Sequence, residues 1–198
     1  HSAIIQNMQA QVQALFGQTS TPAKINEFNL SQHAAWVDEL QVLSSALQSA
    51  VATDSSANQW ALVLEYELPQ QGGRRPDVVV LAGNSVIVLE FKMKKSPTDA
   101  DVDQLDDYLR DLEYYHAETH KSARLCGALV ATKSSSDTTY GTVTSLCPGG
   151  ITKYFLGNAT PGQLSVATWV QSPYAPAPGL LNAAIQGWFN NPPTLPAH

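Results

Sequence analysis

Apolar residues recur at Trp36, Leu40, Leu43 and Leu47, the stripe of an amphipathic helix over residues 32–47, with Ser31 as its expected N-cap. An earlier helical stretch is expected over residues 3–16, ahead of a Ser/Thr/Pro loop. From Ala61 the period changes to two. Leu62, Leu64, Tyr66 and Leu68 alternate with Val63, Glu65 and Glu67, which predicts a strand that Pro69 ends. "QQGGRR" reads as a turn, "PDVVVLA" as a second strand, Gly83-Asn84 as a tight turn and "SVIVLEFKM" as a third strand, giving a meander. The helical period returns from Asp99 to about His120, with Leu105, Leu109 and Leu112 on one stripe and Gln104, Tyr108 and Tyr115 on the next. "RLCGALVA" is the continuous apolar run of a strand covered on both faces. Further on, "ITKYFL" is expected as another strand and "GLLNAAIQGWF" as a short helix after the Pro-rich "SPYAPAPG". The closing "NNPPTLPAH" reads as a linker.

Composition narrows the class. A chain of 198 residues with 43% hydrophobic and 14% charged residues suits one elaborated globular domain. No apolar run reaches the roughly 20 residues that span a bilayer, and no basic segment leads into an apolar one at the start, so a cytoplasmic chain without a membrane partner is expected. Cys126 and Cys147 lie in an apolar run and beside a turn, which fits two reduced thiols better than a disulfide or a zinc site. A net charge of -6 argues against holding nucleic acid through bulk electrostatics, so any such contact must be local. Positive charge gathers at Arg74 and Arg75 and again at Lys92, Lys94 and Lys95. No internal repeat is present, nor a phosphate-cradling Gly-rich loop ending in Gly-Lys-Ser/Thr.

The meander also carries charge where apolar residues would fold more easily. Side chains two apart on a strand share a face, so Glu90 and Lys92 point the same way as Val86 and Val88. The Gly83-Asn84 hairpin brings the start of one strand near the end of the other, and Asp77 near Glu90. Two carboxylates held together repel unless a divalent cation lies between them, and Mg²⁺ favours one or two protein carboxylates with waters and a phosphate oxygen. A neighbouring lysine then stabilises phosphate charge or helps position and deprotonate a water.

Pro76-Asp77 followed by Glu90-Phe91-Lys92 resembles the signature of the PD-(D/E)xK nuclease superfamily, and Gln104 and Tyr108 in "QLDDY" are similar to the Gln-x-x-x-Tyr of its RecB-like branch. "VLEYELP", "RRPDVVVLAGNSVIVLEFK" and "DQLDDYLRDLEYYH" further resemble the N-terminal part of a bacterial family in which a nuclease-like domain precedes a Schlafen-type DNA/RNA helicase. The likeness covers about Trp36 to Ala184 and is sharpest from Glu65 to His116. It implies an α/β (α+β) restriction-endonuclease-like core of helix, three-strand meander, helix and strand, a mixed sheet flanked by helices. Residues 1–30 would be a helical extension, 31–190 the nuclease-like domain and 191–198 a linker toward a helicase region.

The implied activity is hydrolysis of DNA, with RNA as an alternative, by water activated by Mg²⁺ or Mn²⁺. In that scheme Asp77 and Glu90 hold the metal with the Phe91 carbonyl, and Lys92 assists the water or transition state. Gln104 and Tyr108 orient the site or substrate, and four-residue spacing on a helix puts them on one face. Glu39 on the first helix is the further acid the superfamily adds, with Glu65 or Glu67 of the first strand as alternatives.

Each of these residues also has a plainer reading. Glu-x-Lys alone is ordinarily an ion pair at a strand edge, and it is the combination with Pro-Asp, element order and Gln-x-x-x-Tyr that points to a site. Arg74 and Arg75 either grip a phosphate or solubilise a turn. The acidic run from Asp99 to Glu113 reads as a solvated helix face, with Asp99, Asp101 and Asp103 placed where the helix dipole favours them. His33, His116 and His120 read as surface or border residues, and Trp169 and Trp188 as core. A non-catalytic module that positions nucleic acid or a partner for a helicase is the main alternative, and an interaction domain with Lys92 paired internally is the third.

Overall fold

The computed structural model describes residues 27–177 and, before them, only positions 6 and 10; side chains are described from Val37 onward. Of the expected helix at 3–16 only positions 6 and 10 are described, both helical, and the helix at 179–189 with Trp188 and the linker at 191–198 lie outside the described residues. The chain runs α1 (Glu27–Thr53), β1 (Ala61–Leu64), β2 (Val78–Ala82), β3 (Ser85–Lys92), α2 (Asp99–Tyr115), β4 (Arg124–Ala131), β5 (Thr138–Tyr140), β6 (Val143–Leu146), α3 (Ile151–Asn158) and α4 (Val166–Trp169). No helix among the described residues is long and apolar enough to cross a membrane.

The six strands form one open mixed sheet in the order β1-β2-β3-β4-β6-β5. β1, β2 and β3 pair antiparallel, β3, β4 and β6 pair parallel, and β5 returns antiparallel along β6. The side-chain period of two decides the layers. Ile87, Leu89 and Phe91 of β3 join Val78, Val80 and Val130 beneath Leu43 and Leu47 of α1 and Phe155 of α3. Val86 and Val88, with Val79, Leu81 and Leu129, face Leu105, Tyr108 and Leu112 of α2 and Trp169 of α4. All five residues of β2 are buried, the signature of a strand covered on both faces. Both cysteines are free thiols.

The β2–β3 hairpin closes over two residues, since Ala82 pairs with Ser85. Gly83 has φ of +67°, and a Cβ there would stand 1.9 Å from the Thr160 carbonyl oxygen, so both conformation and proximity demand glycine. This hairpin sets the register that brings residue 77 beside residue 90.

Several local expectations are corrected. Ser31 lies inside α1 instead of capping it. β1 stops at Leu64, well short of Pro69, because Glu65 adopts φ of +50° and swings the chain out of the strand, so Glu65 and Glu67 do not share a strand face. "ITKYFL" is helical. Its β-branched and aromatic residues favour a strand, but Ile151 and Phe155, four apart, both bury in the α1-side core, and Thr152 Oγ1 donates to the Ala46 carbonyl at 3.1 Å. The hairpin of β5 and β6 was not anticipated; Gly141, with φ of +61°, opens its two-residue turn.

His116 is not a surface residue but 1% exposed. Its Nδ1 accepts the Thr119 N–H at 3.1 Å, which leaves Nε2–H to donate to Tyr66 Oη at 3.0 Å. Burial, and then His120, push its pKa down to about 4, so the ring is neutral and serves as structure. Trp169 Nε1 donates to Thr119 Oγ1 at 3.1 Å and completes a buried polar knot between the segment after β1, the end of α2 and α4. Tyr66→Phe removes the acceptor for His116 Nε2–H, and urea denaturation is expected to register a loss of about 1 kcal/mol.

Candidate active site at the end of the central hairpin

Asp77 stands one residue before β2, and the pairing of Val78 with Leu89 sets it against Glu90. Its backbone N–H donates to Glu90 Oε2 at 3.3 Å, while the Phe91 N–H donates to Asp77 Oδ2 at 2.7 Å. The two carboxylates are therefore pinned across the hairpin, Glu90 by the Asp77 backbone and Asp77 by the backbone of Phe91, the residue after Glu90. Glu90 is 3% exposed. The Phe91 ring joins the α1-side core, opposite the face that carries Glu90 and Lys92.

Lys92 reaches over this pair. Its Nζ donates to Glu90 Oε1 at 3.0 Å and to Gln104 Oε1 at 2.8 Å, with Asp101 Oδ1 at 3.8 Å on a third side. An ammonium has three N–H donors, and three acceptors surround it. Gln104 Nε2 donates to Tyr108 Oη at 2.8 Å, so the hydrogen-bonded line runs from Glu90 through Lys92 and Gln104 to Tyr108. The spacing of four on α2 places Gln104 and Tyr108 on the face turned toward the sheet.

Glu39 enters from the other side. A cavity of about 10 Å³, close to the size of one water, separates it from Asp77, with Leu40, Leu43, Leu64, Val78 and Phe91 as the remaining walls. Glu65 is carried back toward the group by its unusual backbone, with its N–H donating to the Asp77 carbonyl at 3.0 Å. Glu67 pairs instead with Arg75 at the surface and takes no part.

The electrostatics mark a group of carboxylates short of positive charge. Asp77 is raised well above the usual carboxylate range by burial, then by Glu90, with Glu39 and Glu65 adding and the Phe91 N–H opposing. Glu90 is raised by burial even though Lys92 and the Asp77 N–H draw it down. Glu39 is pushed up to about 7 by burial and by Glu90 and Glu65. Glu65 is raised by burial and Glu90. Burial disfavours the Lys92 charge, but Glu90, Asp77 and Asp101 outweigh it and hold its pKa above the ordinary value. Arg75 draws Glu65 down as Lys92 draws Glu90 down, yet Asp77 and Glu90 stay raised, and a hard divalent cation is a chemical complement of two such adjacent carboxylates.

Among the described residues no three His, Cys, Asp or Glu side chains converge closely enough to enclose a metal by themselves. Mg²⁺ asks for less, because it keeps several waters and takes one or two carboxylates. The adjacent Asp77 and Glu90 meet that lesser demand.

Asp101 is the residue the acidic-face reading missed. It is 7% exposed, not solvated. Its Oδ2 accepts the Thr98 N–H and O–H at 2.7 Å each and the Lys94 ammonium at 2.6 Å. It thereby ties the start of α2 to the end of β3 and sets Gln104, one turn on, against Lys92. Thr98-x-x-Asp101 before a helical run is a capping-box pattern, the signal that could have found it. Arg74 bridges Asp107 at 2.7 Å and Asp111 at 2.9 Å and lies 5.5 Å over the Tyr108 ring. Both arginines of the turn thus have carboxylate partners within the fold.

The chain matches no protein-family model, no curated protein and no solved structure.

Proposed function

We propose that this domain is a divalent-metal-dependent phosphodiesterase of restriction-endonuclease-like architecture, acting on nucleic acid, DNA before RNA, and working beside a helicase in a longer chain. The observation that carries the reading is the buried Asp77–Glu90 pair with Lys92 fixed over it by Gln104. Burying two repelling carboxylates and then steering a lysine onto one of them costs stability, and a site that needs those charges accounts for the arrangement. Support also comes from the order α1, three antiparallel strands, α2, β4, the order of that architecture's core.

Asp77 and Glu90 would hold Mg²⁺ or Mn²⁺ with the Phe91 carbonyl, and Glu39, which does not converge with them closely enough to be a third direct ligand, would act through water from across the small cavity. When bound, the cation supplies Lewis-acid stabilisation of phosphate charge and lowers the pKa of water. Lys92, fixed over Glu90 by Gln104, would assist the attacking water or stabilise the developing phosphate charge. Gln104 and Tyr108 keep the Lys92 ammonium aimed.

A non-catalytic module that positions nucleic acid or a partner is the second reading. It is favoured by one observation: Arg74, Arg75 and Lys94, which flank the site, each spend their charge on an internal carboxylate. Cleavage separates the two. The wild-type chain is expected to nick or degrade single-stranded or duplex DNA in Mn²⁺ and not in EDTA, and Lys92→Ala to be inactive. Absence of cleavage together with no Mn²⁺-induced rise in melting temperature would sink the hydrolytic reading.

A further inference from the structure

Resting on the proposed nucleic-acid substrate, we infer that Lys95 and Lys133 form the ridge that receives the phosphate backbone at the rim of the site. A chain of net charge -6 offers a polyanion little general attraction, so local free positive charge at the rim of the site is what a nucleic-acid strand would use to approach. Most of the described cations are not free. Arg74, Arg75, Lys92, Lys94, Arg110 and Lys121 all have carboxylate partners. Lys95, Arg124, Lys133 and Lys153 are exposed and form no ion pair with a described residue.

Two of these four fall together. β3 and β4 are parallel, with Lys92 opposite Ala131, so the segments that leave them emerge at the same end of the sheet as the candidate site. Those segments are joined: the Thr132 N–H donates to the Lys92 carbonyl at 3.0 Å and the Lys133 N–H to the Lys94 carbonyl at 3.3 Å. Lys95 and Lys133 are thus carried on adjoining backbones immediately past Lys92. Arg124 begins β4 at the opposite end of the sheet, and Lys153 rides on α3. Met93, 44% exposed, lies in the same segment as Lys95 and offers an apolar contact for a base, which a bare phosphate polymer cannot use. The pairing of free ammonium groups with an exposed thioether fits a nucleic-acid strand.

The test is anisotropy of a labelled single-stranded oligonucleotide of about 20 nucleotides in EDTA, which measures binding without cleavage. The Lys95→Ala/Lys133→Ala chain is expected to bind about tenfold more weakly at low salt, with the slope of log K against log salt reduced by about 1.4, roughly 0.7 per lost contact. Arg124→Ala and Lys153→Ala are expected to bind as the wild type does. Unchanged affinity and slope in the double variant overturn the inference, as does a wild type that binds no oligonucleotide or prefers inorganic polyphosphate of equal charge. Lysine-dependent binding without Mn²⁺ cleavage would keep the ridge and remove the hydrolytic reading. Cleavage whose KM ignores both lysines would do the reverse.

Discussion

Asp77→Asn is expected to melt higher than the wild type at pH 8 while losing divalent-dependent cleavage altogether. Asparagine copies the shape of a protonated Asp77, and its Oδ1 still accepts the Phe91 N–H that Asp77 holds at 2.7 Å. Its amide can also donate to Glu90, where the wild type sets a second carboxylate. The sign follows from linkage. Burial and Glu90 raise Asp77 well above its unfolded value, so the folded wild type loses stability as pH rises from the unfolded carboxylate range, and asparagine has no such loss. The gain is therefore near zero at low pH and grows toward pH 8, where about 1 kcal/mol would move the melting temperature by roughly 2–4 °C. Opposite signs for stability and activity distinguish a site from an ion pair that serves the fold. Thermal melts at pH 5 and pH 8, beside a cleavage assay, decide it; a lower melting temperature at pH 8 would show that Asp77 is structural.

The parts of this arrangement that sequence made legible are those fixed by local periodicity. β3 and β4 span the apolar runs that announced them, and the Gly83-Asn84 hairpin follows from two residues whose turn chemistry is strong. Because the pleat has a period of two, Glu90 and Lys92 had to share a face once that strand was placed, and the helical period did the same for Gln104 and Tyr108. What stayed hidden depends on contacts distant in sequence. "ITKYFL" has strand-like residues and becomes α3 because Ile151 and Phe155 find a core to enter. His116 gives no local sign that Tyr66, fifty positions earlier, will cover it. Glu65 looked like one tooth of an alternating strand, yet its positive φ turns it toward Asp77 and leaves Glu67 to Arg75. Asp101 was readable from Thr98-x-x-Asp101, a capping box embedded in an acidic run whose composition resembles a solvated face.

Adding Mn²⁺ or Mg²⁺ at pH 8 is expected to raise the melting temperature of the wild type and to leave Asp77→Asn almost unmoved. At a hundredfold excess over the dissociation constant, a cation bound only by the folded chain contributes about 2.7 kcal/mol. For a domain of this size that is roughly 5–10 °C. The effect should depend on pH in a definite direction. Glu39, raised to about 7 by burial and by Glu90 and Glu65, is protonated when folded over a range where it is ionised when unfolded. Its contribution without metal is present below the unfolded carboxylate pKa and is lost as pH rises toward and through 7. Asp77, Glu90 and Glu65 are displaced in the same direction, whereas His116, lowered to about 4, works the other way between pH 5 and pH 7, so the carboxylate loss in EDTA is read as the difference between the wild type and Asp77→Asn at each pH. A divalent cation reverses the repulsion that causes this loss, and protons compete with it. The metal-induced rise should therefore shrink steadily from pH 8 to pH 5. Glu39→Gln should flatten the EDTA profile between about pH 5 and pH 7 while sparing most of the rise at pH 8, since Asp77 and Glu90 remain. A wild type whose melting temperature ignores both Mn²⁺ and Mg²⁺ at pH 8 would mean that Lys92 alone compensates these carboxylates, and the site would be an internal ion pair.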